Sequence, residues 1–189
     1  MNKFLSKLIV AVIASTAVYA QATVINFTTM ATGTQVTNQF SNVTFSLAGG
    51  VDSAGAATIG NGGLTNTRHN GNYPTARYLI ADFDQLVTGL SFTFDNAGFN
   101  GGNAYYVYGA SHNLLASGLM SGSGSITYNL AALTGIKEVK WDNGYDSNNW
   151  WQKLDTISYA AVVPEPASFA LFGLGLAGVV ASRRRKSRA

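Results

Sequence analysis

Short alternating runs, each closed by glycine or asparagine, fill residues 23–161 and leave no stretch with a helical period. Val43-Thr44-Phe45-Ser46-Leu47 alternates strictly and stops at Gly49-Gly50. Side chains on a strand point to opposite faces in turn, so this pattern places apolar residues on one face of a sheet. The same reading applies to 23–27, 87–94, 104–108, 114–119, 125–130, 136–142 and 153–161. Residues 77–83 read as a further strand, ending in a turn at Asp84-Gln85. Strands of this length with a turn every 8–12 residues predict an all-β sandwich or barrel. No internal repeat is evident.

Composition supports an exported β-domain. Cysteine is absent, so an exported form must draw its stability from packing, with a bound metal as the other source. Residues 23–161 are enough for one domain with a sizeable core. The chain carries 12 Lys+Arg against 9 Asp+Glu, yet seven of the cations lie in the first seven residues or the last seven. The central domain keeps Arg68, Arg77, Lys137, Lys140 and Lys153 against eight acids, for a net charge of −3. A nucleic-acid surface needs a basic patch, and this domain has none to spare.

The two ends read as addresses. Met1–Lys7 is basic, Leu8–Val18 is apolar, and small residues follow, as in a secretory signal peptide. Signal peptidase is expected to cut after Ala20-Gln21-Ala22, so that the mature chain starts at Thr23; Val18-Tyr19-Ala20 is a second site. At the other end stand Pro164, Glu165 and Pro166, an apolar run from Phe169 to Ala181, and the basic stop Arg183, Arg184, Arg185 and Lys186. As a helix, residues 167–182 would reach about 24 Å. A bilayer core is about 30 Å thick, so this is a marginal transmembrane helix. The basic cluster favours the cytoplasmic side. The prolines keep the Pro-Glu-Pro segment extended and open to a protease at the outer membrane face. A plain C-terminal anchor is the alternative.

This three-part tail resembles the PEP-CTERM sorting tail of exported proteins in Gram-negative bacteria that make exopolysaccharide. The resemblance covers residues 162–189 and leaves the domain upstream unassigned. It implies recognition by an exosortase, transient insertion in the inner membrane, removal of the apolar tail, and delivery to the cell surface or extracellular polysaccharide matrix. The chain then divides into a signal peptide (1–22), a β-domain (23–161) and a sorting tail (162–189). The strand pattern of the domain resembles jelly-roll or galactose-binding-like β-sandwiches, here flanked by two apolar helices.

Candidate chemistry concentrates in residues 141–151, which hold all three tryptophans. An aromatic ring covers the C–H face of a sugar while Asp and Asn take its hydroxyls. Tyr145, Trp150, Trp151, Asp146 and Asn148 are therefore the expected glycan contacts. The alternative is that these rings close the core, as expected for Trp141. Trp150 and Trp151 are adjacent and face opposite ways if extended. Asp142, Gly144, Asp146 and Asn148 alternate like an oxygen-ligand loop, but position twelve is Lys153 where an EF-hand has glutamate. Asp142 and Asp146 are left as a generic calcium pair, and no other cofactor is expected. Asp95, Asn96 and Asn103 form a second polar loop of the same kind.

Catalysis has few candidates. His69 and His112 are the only histidines, no thiol exists, and no G-x-S-x-G elbow occurs. Asp82 and Asp84 share a face if their strand continues, the one arrangement that keeps a glycoside-active enzyme open. The expectation is a non-enzymatic surface or matrix protein, with a carbohydrate-binding module as the alternative.

Overall fold

The computed structural model describes residues 21–71, 75–95, 102–122, 124–144 and 153–162. Among them are eleven strands: β1 (Ala22–Asn26), β2 (Gln35–Val36), β3 (Val43–Gly50), β4 (Ala57–Gly60), β5 (Gly63–Thr65), β6 (Ala76–Asp95), β7 (Ala104–Gly109), β8 (Leu114–Leu119), β9 (Ser125–Leu130), β10 (Ile136–Asp142) and β11 (Lys153–Ala161). All pairings are antiparallel. The described residues contain one 3₁₀ turn (Phe27–Thr29) and no α-helix. Its first turn is capped by Asn26, whose side chain accepts from the Thr28 N–H.

The long strand β6 makes the sandwich. Its first half pairs with β3 and β10, giving a layer ordered β3-β6-β10-β7-β8. Its second half pairs with β9 and β11 in the other layer. Beyond β11, β1 lies along its later residues and β5, β4 and β2 extend from its start. The expected turn at Asp84-Gln85 is instead a corner within one continuous strand: Ile136 pairs with Val87 while Glu138 pairs with Asp82. Asn42 holds this corner open, its carbonyl accepting from the Asp84 N–H at 3.2 Å and its side chain from the Gln85 N–H at 2.7 Å. The corner's amides thus find partners outside the ladder, so the chain bends without ending the strand. The short β2, β4 and β5 fall in segments whose sequence carries no alternating run.

Alternation decides the core. Phe83 and Tyr159 meet from opposite layers at 4.8 Å, and Phe92 meets Trp141 and Tyr105 edge-on, each at 5.4 Å. Phe27, Phe40 and Phe45 form a second edge-to-face group. Trp141 is fully buried, as its place on an alternating strand predicts. Each large side chain removed from water in this way contributes about 1.5–3 kcal/mol.

Candidate functional site

Five connections join the two layers at one end of the sandwich: 51–56, 66–75, 96–103, 120–124 and 143–152. The strand ends that launch them are aligned, with Gly50 opposite Ala76 and Asp142 opposite both Tyr78 and Ala104. Lys153 likewise lies opposite both Asp95 and Thr65. The aromatic connection 143–152 is anchored at its two ends by opposite charges. At the first, the Arg77 guanidinium forks onto Asp142, with Nε and Nη2 each donating at 3.0 Å. At the second, Lys153 Nζ reaches Asp95 Oδ2 at 2.8 Å and donates to the Asn61 carbonyl. Behind it, Ser125 Oγ donates to Asp155 at 2.6 Å.

Glycine permits the closest approach at this end. A Cβ on Gly144 would lie 1.7 Å from the Gly102 carbonyl oxygen, and both residues have positive φ. Connections 96–103 and 143–152 therefore meet backbone to backbone. Of the expected glycan and calcium residues, Asp142 lies within the described residues. It is buried, and both its carboxylate oxygens accept hydrogen bonds, Oδ1 also from the Gly144 N–H at 2.8 Å. Tyr145, Asp146, Asn148, Trp150 and Trp151 lie outside the described residues, as do Pro164, Glu165, Pro166, Arg183, Arg184, Arg185, Lys186 and Ala20. Ala22 opens β1 and is exposed.

Asp82 and Asp84 share an outward face, exposed, and Asp82 takes Lys137 Nζ at 2.5 Å. A cluster the sequence did not reveal lies at Asp52, which is fully buried. Its Oδ2 accepts from Thr67 Oγ1 and the Arg68 N–H, both at 2.9 Å, and Arg68 Nε sits 2.6 Å from Oδ1. His69 Nε2 is 3.5 Å from the same oxygen. Every contact ties connection 51–56 to connection 66–75, the work of a loop lock. Among the described residues, no three of His, Cys, Asp and Glu gather as metal ligands would.

A second surface lies on the outer face of the β3-β6-β10-β7-β8 layer. Register places Lys140 beside Tyr106, and Glu138 beside Tyr108. Lys140 Nζ stands over the Tyr78 ring at 5.1 Å and the Tyr108 ring at 5.6 Å. His112, at φ 57° in the turn after β7, stacks on Tyr108 with ring centres 4.6 Å apart. Arg77 covers Tyr78 at 5.1 Å. Burial pushes the Tyr108 phenol's ionisation up, and the Glu138 charge adds to it. That phenol is therefore a neutral donor at physiological pH.

Residues 162–186 match the PEP-CTERM protein-sorting motif. The motif marks the chain as an exported exosortase substrate of Gram-negative-type bacteria. No curated protein matches this chain. Solved structures that align with part of this chain include the following three. A low-affinity xylan-binding module from Roseburia intestinalis aligns at 13% identity and TM-score 0.40, over 74% of this chain and 94% of its own. A mutant of the lectin binding domain of lectinolysin, complexed with Lewis b, aligns at 9% identity and TM-score 0.36, over 76% of this chain and 93% of its own. A fucose-binding module of Streptococcus pneumoniae aligns at 10% and 0.33, over 46% of this chain and 66% of its own. Among the described residues no helix is long and apolar enough to cross a membrane.

Proposed function

We propose that this is a non-enzymatic β-sandwich protein of the bacterial cell surface or extracellular polysaccharide matrix. The single observation that carries the reading is the sorting motif over residues 162–186. An exosortase acting near Pro164-Glu165-Pro166 would release the domain from a short-lived inner-membrane intermediate. The domain's chemistry supports a structural or adhesive role. The carboxylates Asp52 and Asp142 are committed to ion pairs with arginine, and Asp82 pairs with lysine at the surface. None of the three is left as a poised acid or base. A structural calcium at Asp142 and Asp146 is the less favoured part of the reading, because both Asp142 oxygens already accept from Arg77.

Carbohydrate binding is the second reading, favoured by the half-buried tyrosines of the outer face. The export reading is tested by deleting residues 164–189 and measuring the surface fraction of the protein by fractionation and surface labelling. Loss of the surface fraction is expected. Surface display equal to that of the intact chain would contradict a sorting role for the tail.

A further inference from the structure

We propose that the outer face of β6, β10 and β7, centred on Tyr106, is a binding surface for an uncharged polysaccharide. The proposal rests on the reading of this protein as one that ends among extracellular polysaccharide, and it moves the contact away from the tryptophan-rich connection. Three observations carry it.

First, each row of the face sets one tyrosine ring among polar side chains. Register sets Tyr106 between Lys140 and Ser117, while Ser46 and Lys140 flank Ile80 in the same row. The next row runs Thr44, Asp82, Glu138, Tyr108. Such a surface offers apolar area to sugar C–H faces and hydrogen-bonding groups to their hydroxyls. Tyr78 and Tyr108 are already covered by cations or by His112. Among the described residues, neither a ring nor a cation lies over Tyr106, which leaves it as the stacking platform.

Second, charge selects the class of glycan. The three cations of this face each meet a carboxylate: Arg77 with Asp142, Lys137 with Asp82, and Lys140 with Glu138 at 3.8 Å. An acidic polysaccharide needs cations that are not already matched. A neutral chain needs none.

Third, the face holds an unused acceptor. Glu138 Oε1 is buried and accepts no hydrogen bond, since Lys140 stands too far away to donate one. Burying an acceptor without a donor is costly, and a sugar hydroxyl that reaches Oε1 supplies the missing donor while Lys140 keeps its place over Tyr78 and Tyr108.

The test uses the full-length protein in a non-glycosidic detergent, by affinity electrophoresis. The probes are xylan, mixed-linkage β-glucan, alginate, and the exopolysaccharide of the producing bacterium. Retardation by at least one neutral polysaccharide is expected, unchanged in 0.5 M salt on the order of a Debye length of 4 Å. Tyr106→Ala with Tyr108→Ala should weaken it at least ~10-fold, the loss expected for about 1.4 kcal/mol of stacking and hydrogen bonding. Tyr106→Phe with Tyr108→Phe keeps the rings and should retain most of the binding, which separates lost contacts from lost folding. Trp150→Ala with Trp151→Ala should leave retardation unchanged. The proposal is overturned by binding that survives the tyrosine changes and vanishes with the tryptophan ones. It is equally overturned by salt-sensitive binding to alginate alone, or by no retardation with any probe. Surface delivery is measured separately, so a protein that is displayed but does not bind refutes this inference and leaves the export reading intact.

Discussion

Tyr159 shows how a single residue ties distant parts of the chain together. It is buried in the core, and its phenol donates to the Ser41 carbonyl at 3.1 Å across 118 positions of sequence. Burial pushes its ionisation up, and Asp84 adds to the shift. The folded phenol therefore keeps its proton at a pH where the unfolded one, near pH 10, releases it. This group's contribution is full below the unfolded value and is lost as pH rises through the folded one. Tyr159→Phe should cost about 1 kcal/mol at pH 7 through the lost hydrogen bond. It should also decline less than the parent above about pH 10. Urea unfolding at both pH values checks this; parallel declines would refute it. The strand holding Tyr159 could be read from alternation alone. Its partner could not, and neither could the Asp52–Arg68–His69 cluster, because such contacts join residues whose proximity only the fold creates. The same holds for the outer face: Tyr106 and Tyr108 stand out as an aromatic run, but Lys140 comes beside them only through strand register.

Among elements, legibility followed burial pattern. β9, β10 and β11 have one face inward and one outward, so period two marked their bounds. β4 and β5 are buried along their whole length and carry no such contrast. In β6 the polar pair Asp84-Gln85 mimics a turn, and the strand continues only because Asn42 satisfies the corner's amides. A second irregularity in β6 lies at Gly89, with φ 66°, where the register against β11 shifts between Ser158 and Ala160. Nothing lies within 4 Å of a Cβ built there, so a substitution meets backbone strain and no clash. Gly89→Ala should cost about 1–2 kcal/mol, the penalty of a left-handed residue with a side chain. Gly89→Asn should cost less, because asparagine tolerates this region. Chemical denaturation of the two variants measures the difference, and equal stability of Gly89→Ala and the parent would remove the bulge from the account.

For the whole molecule, the distribution of charge and apolarity separates what folds from what directs. The basic residues at the two ends make the chain look cationic, while the sandwich between them is mildly acidic and cysteine-free. The central claim is that the protein reaches the cell exterior with both ends removed. Intact-mass spectrometry of the protein recovered from the cell surface tests this most directly. The account predicts a chain beginning at Thr23 and ending near Pro164–Pro166, with any added mass belonging to a group joined there. A mass that still includes the apolar run and the arginines through Ala189 would contradict it.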